Sequence, residues 1–111
     1  MNGRSHRPSR QIGAQGEEAV GLTGPKEAIR IAGSNHVRFP DGIDRALRVL
    51  TEVKNVESLD LTPQLRDFLQ YCEDNDYRLE LWIRRSTKLT PRLKAALDEA
   101  GFETKEIIGS H

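Results

Sequence analysis

Glu52 and Lys54 stand two residues apart in Leu-Arg-Val-Leu-Thr-Glu-Val-Lys-Asn-Val, a stretch (47–56) rich in strand-forming residues. On a strand, positions i and i+2 share a face, so this carboxylate and this ammonium leave the backbone on the same side. Their neighbours Val49, Leu50, Val53 and Val56 are apolar. A full charge there is costly unless it is paired, solvated in a cleft or bound to metal. Asp41 follows Pro40 at a turn upstream, within reach of Glu52 through a tight hairpin. Two adjacent carboxylates repel, and a divalent cation resolves the repulsion. Oxygen ligands without neighbouring Cys or His point to Mg²⁺, or Mn²⁺, rather than zinc. Such a site suits phosphodiester hydrolysis. The cation neutralises a nonbridging phosphate oxygen and acidifies a bound water; Lys54 orients or helps deprotonate that water and stabilises the growing charge. A same-face salt pair on an exposed strand accounts for Glu52 and Lys54 equally well at this point.

These residues need a sheet to hold them. Residues 27–32 (Ile29 and Ile31 at period two), 37–39 and 47–56 are predicted as three strands joined by short turns, an antiparallel meander. The clearest helix follows. Thr62 is a good N-cap, Pro63 suits the first helical position, and Leu65, Phe68, Leu69 and Cys72 form one apolar stripe. Alternation over 77–83 predicts a fourth strand. Thr90-Pro91 repeats the helix-start device, Leu93, Ala96, Leu97 and Ala100 supply the stripe, and Gly101 stops the helix. Residues 102–108 are predicted as a last edge strand. A weaker helix is expected over 12–22. Strand–helix–strand units favour parallel crossovers, so the expected class is α/β: a mixed sheet of four to five strands flanked by helices.

Composition narrows the function. Seventeen Lys and Arg balance seventeen Asp and Glu, which argues against a globally basic nucleic-acid binder. The balance hides separation. Arg4, Arg7 and Arg10 stand without acids in the first twelve residues, seven acids crowd 57–80, and five bases (Arg84, Arg85, Lys88, Arg92, Lys94) fill 84–94. That basic stretch opens a helix, where hydroxyls and backbone amides can join it in holding phosphate; Arg84 and Lys88 are the expected nucleic-acid contacts. The single cysteine, Cys72, excludes an internal disulfide and most zinc arrangements. No apolar run reaches membrane-spanning length, and no membrane partner is expected. The domain is expected over 12–108, after a polar tail or linker (1–11). Residues 109–111 are compatible with vector sequence.

Pro40-Asp41 followed by Glu52-x-Lys54 resembles the Pro-Asp…(Asp/Glu)-x-Lys signature of restriction-endonuclease-like nucleases. Gln64-x-x-x-Phe68 resembles the Gln-x-x-x-Tyr element of some members, without the hydroxyl, so only Gln64 carries over, as a ligand or water positioner. Gly16-Glu17-Glu18-Ala19-Val20-Gly21-Leu22, Phe39-Pro40-Asp41-Gly42, Thr51-Glu52-Val53-Lys54-Asn55-Val56, Leu59-x-Leu61-Thr62-x-Gln64-Leu65-Arg66-Asp67, Leu81-Trp82-Ile83-Arg84 and Thr87-Lys88-Leu89 extend the likeness. Together they resemble the restriction-endonuclease-fold toxin domains of bacterial polymorphic toxin systems across nearly all of 13–108. The resemblance implies a DNase at the end of a larger secreted polypeptide, delivered into the cytoplasm of competing bacteria and neutralised by a cognate immunity protein.

On this reading Asp41 and Glu52 hold the metal with Glu17 and the Val53 carbonyl, Glu18 competing for the role of Glu17; Lys54 activates water and Gln64 assists. The Glu-x-Lys at Glu103-Thr104-Lys105 lacks an upstream Pro-Asp and is expected to be surface charge. His36 is expected on the surface, and Trp82 and Cys72 with the core. Two other readings stay open: a housekeeping DNA-repair or junction-resolving nuclease, and a non-catalytic interaction module in which Glu52 and Lys54 merely pair.

Overall fold

The computed structural model describes residues 26–109 and His111. The helix expected over 12–22, with Glu17 and Glu18, and the polar tail therefore lie outside the described residues. The chain runs β1 (Ile29–Arg30), β2 (Val37–Arg38), β3 (Gly42–Asp44), β4 (Val49–Lys54), β5 (Ser58–Leu59), α1 (Pro63–Asn75), β6 (Arg78–Ile83), β7 (Lys88–Leu89), α2 (Pro91–Ala100) and β8 (Thr104–Glu106).

Four strands form the main sheet in the order β3-β4-β6-β8, with β3 antiparallel to β4 and the remaining pairs parallel. A mixed sheet with crossover helices is the expected class, and one detail differs. The hairpin partner of β4 is not the 37–39 strand but β3, which starts after Pro40. Proline has no N–H to give a ladder, so pairing breaks at Pro40 and resumes at Gly42. The β1–β2 pair forms its own antiparallel sheet. Strand β4 also begins later than the apolar run: Leu47 is exposed and Arg48 takes a left-handed φ of 58° in the hairpin loop. There the Leu47 N–H donates to Asp44 Oδ1 at 2.9 Å. Strands β5 and β7 pair in parallel as a third small sheet.

Both helices start as the sequence predicts. The Thr62 hydroxyl accepts from the Leu65 N–H and the Thr90 hydroxyl from the Leu93 N–H, with proline at each first position. Helix α2 ends at Gly101 (φ 78°), where the missing side chain makes a left-handed cap strain-free. Helix α1 ends instead on Asp76 in that conformation.

Register fixes the faces. Leu50 lies beside Leu79, Glu52 beside Leu81 and Lys54 beside Ile83, so all six share one sheet face. Leu50, Leu79, Leu81 and Ile83 build the core there with Leu65, Phe68 and Cys72 of α1, Leu93 and Leu97 of α2, and Ile29 and Ile31. Crossovers that step in one direction with one handedness place both helices on one face, as here. Truncating Phe68, which has no exposed surface, would cost about 3–5 kcal/mol. Trp82 points to the opposite face. It is half-buried, its indole N–H finds no partner among the described residues, and the Lys105 ammonium lies 5.9 Å from its ring centre. It thus covers the far side of the sheet rather than joining the core cluster.

Candidate active site

Glu52 is the one charged residue buried among the described residues, at 3% exposure. It projects onto the core face because register puts it beside Leu81, yet it lies near the C-terminal end of β4, where α1 begins. Open parallel sheets expose their ligand sites at that end.

Asp41 meets it as the Pro-Asp turn predicts. The Asp41 N–H donates to Glu52 Oε1 at 3.1 Å, and Asp41 Oδ2 accepts from the Val53 N–H at 2.8 Å. One carboxylate thus holds the strand that presents the other. A strand residue directs its N–H and C=O toward the same neighbour, so the Val53 carbonyl leaves β4 on the Asp41 side. Lys54 Nζ lies 3.1 Å from Glu52 Oε2 and donates to Gln64 Oε1 at 2.6 Å. Asp41, Glu52, Lys54 and Gln64, four residues expected to act together, form one continuous network with the Val53 backbone.

The electrostatics follow from burial. Loss of solvent, then the negative charge of Asp41, pushes the Glu52 carboxyl up to about 7, against the opposing pull of Lys54 and the Asp41 N–H. Two carboxylates held together out of water repel each other. Hard oxygen donors on a rigid strand fit a small divalent cation that keeps several of its own waters and takes one or two carboxylates from the protein. Among the described residues no group of three or more His, Cys, Asp or Glu comes together. Asp41, Glu52 and the Val53 carbonyl are the donors that would hold such a cation.

Two residues here have no role assigned from the sequence. Lys26, just ahead of β1, places Nζ 2.8 Å from Asp41 Oδ1. Asn55, next after Lys54, accepts from Arg84 Nε at 2.6 Å through its side chain and from Arg84 Nη2 at 3.3 Å through its backbone carbonyl. The Arg84 N–H donates to the Thr87 hydroxyl at 3.0 Å, which donates to the Val56 carbonyl at 2.7 Å. Arg84 is thereby fixed at the ends of β4 and β6, one residue beyond Lys54 and its neighbour Ile83.

The rest of the basic stretch divides. Arg92 forks onto Asp60 with two bonds of 2.7 Å, and Arg85 Nε lies 3.7 Å from Glu106. Lys88 is exposed on β7. His36 is an exposed turn residue, as expected, with Nδ1 2.8 Å from Asp67 Oδ2, an oxygen that also accepts from Arg38 Nε at 2.8 Å. Cys72 is core; burial pushes its thiol up to about 12, so it has no nucleophilic role at neutral pH. Glu103 and Lys105 are exposed at β8, away from any acidic partner turn.

A family model described as restriction endonuclease fold toxin 7 matches residues 13–93. The match spans β1 to the start of α2 and contains every residue of the network. No curated protein and no solved structure matches the chain. No helix among the described residues is long and apolar enough to cross a membrane.

Proposed function

The chain belongs to the restriction endonuclease fold toxin 7 family, and from that premise we propose that it is a metal-dependent nuclease that hydrolyses DNA. The observation that carries this reading is the joined Asp41–Glu52–Lys54–Gln64 network, two carboxylates packed together with an ammonium anchored beside them.

Asp41 and Glu52, with the Val53 carbonyl, would hold Mg²⁺ or Mn²⁺, and Glu17 is the proposed additional ligand. When bound, the cation supplies a polarised water and neutralises phosphate charge. Lys54 does the rest at Nζ: it orients the attacking water and stabilises the charge that grows on the phosphate. Gln64 fixes that ammonium, since its 2.6 Å contact removes the freedom of a long side chain. Outside the network Arg84 and Lys88 receive flanking phosphates, which positions the strand without reading its sequence. The nuclease unit is taken as 12–108.

Family membership supports the wider setting: a domain carried by a larger secreted polypeptide, delivered to act in the cytoplasm of competing bacteria and held in check by a cognate immunity protein. Incubation with plasmid DNA and with total RNA, in Mg²⁺ and in excess chelator, tests the activity. DNA degradation that requires the cation and is lost in Glu52→Gln supports the reading; undiminished cutting in chelator overturns it. Growth arrest on expression, relieved by the same substitution, separates a toxin from a repair nuclease.

A further inference from the structure

Lys26 has no place in the chemistry assigned to the network, yet its ammonium lies 2.8 Å from Asp41 Oδ1. The other Asp41 oxygen accepts from Val53, Glu52 Oε1 accepts from Asp41, and Glu52 Oε2 faces Lys54. All four carboxylate oxygens therefore face a donor, with an ammonium at each end of the pair. The two ammoniums differ in exposure. Lys54 is tied to Gln64 and is 24% exposed, whereas Lys26 is 42% exposed and reaches Asp41, itself 7% exposed, from a segment without regular structure.

We infer that Lys26 is a resident counter-ion of the site, seated on Asp41 Oδ1 in competition with the divalent cation. The inference rests on the metal-dependent reading above. Two carboxylates shielded from water need compensation whether or not a metal is present. An ammonium on Asp41 gives part of it. A divalent cation shared by both carboxylates gives more, and must take or share the oxygen that Lys26 occupies. Lys26 is the more exposed of the two ammoniums and sits on the oxygen the cation would share, whereas Lys54 cannot leave without stranding Gln64. Occupancy by metal thus depends on displacing an internal rival.

Calorimetric titration with Mn²⁺ in the absence of DNA tests this. Lys26→Met is expected to tighten Mn²⁺ binding about five-fold. Lys26→Gln should do the same if the methionine disturbs folding, while Lys26→Arg stays near wild type. Arg30→Gln, which removes an exposed charge from β1 without touching Asp41, is the control for a general field effect and should shift the affinity far less. In chelator at pH 8, Lys26→Met should also unfold at a lower temperature than wild type. Equal Mn²⁺ affinity in wild type and Lys26→Met, or an equal gain in Arg30→Gln, overturns the competition while leaving the nuclease reading standing. Absence of Mn²⁺ binding in every variant overturns both.

Discussion

Two carboxylate clusters in this small domain are built from the same residue types with opposite results. At one, Asp60 accepts from Arg92 Nε and Nη2, from the Thr90 hydroxyl and from the Leu61 N–H, all at 2.7 Å. Those bonds, led by Arg92, hold its carboxyl far below the usual range. At the other, Glu52 is pushed up to about 7 although it touches an ammonium and an N–H. The difference is solvent and neighbourhood. Asp60 is half-exposed and meets only donors; Glu52 is buried and shares its space with a second acid. The first cluster is a clasp that ties the loop before α1 to the start of α2. The second packs two acids together out of water, and perturbed carboxyls of this kind cluster at sites of chemistry.

The comparison breaks most sharply through activity. Glu52→Gln or Lys54→Ala should lower DNA cleavage at least about 100-fold with the fold retained, whereas Asp60→Asn should leave cleavage near wild type. Rates on a supercoiled plasmid, read beside circular dichroism, check the contrast, and loss of cleavage in Asp60→Asn would erase it. Next in size is the pH dependence of the metal-free protein. A carboxyl raised from 4.5 to about 7 on folding binds its proton more tightly in the native state, so stability falls as pH rises through that window. The loss amounts to about 3 kcal/mol at full ionisation, and Glu52→Gln should flatten it. Asp60 has the opposite sign: its depressed value stabilises the fold above the ordinary carboxylate range and is lost on acidification below it. Urea titrations from about pH 2 to 8 in chelator separate the two. Thr90→Ala should cost about 1 kcal/mol, since it removes the cap of α2 together with one bond to Asp60. The smallest expected effect is at the rim. Asn55→Ala should raise KM for DNA a few-fold, about as much as Arg84→Ala, with kcat little changed. Each should reduce the slope of log affinity against log salt by about one, because Asn55 acts only by aiming Arg84.

Helix starts and the acidic site were the parts legible in the sequence, because each is specified locally. Thr-Pro before an apolar stripe names its own N-cap, and Pro-Asp with Glu-x-Lys needs only a hairpin to come together. Strands β1, β2, β5 and β7, two residues each, and β3, at three, fall below any periodicity, so the sequence pattern pairs residues 37–39 with the wrong partner. The basic run at 84–94 looked uniform for a related reason. Whether an arginine is spent on an internal acceptor depends on residues about thirty positions away, as with Arg92 and Asp60 or Arg84 and Asn55. Lys26 was invisible for the same cause, since nothing around Gly24-Pro25-Lys26 announces the Asp41 oxygen it reaches.

The contacts that join Asp41, Glu52, Lys54 and Gln64 each close over only ten to twelve positions. Closing so small a loop sacrifices little chain entropy, whereas seating β8 on β6 requires residues over twenty positions apart to find each other. The chemical end of the domain is therefore its low-contact-order end. Refolding from denaturant should gather the acids and their lysine before the far edge of the sheet has docked.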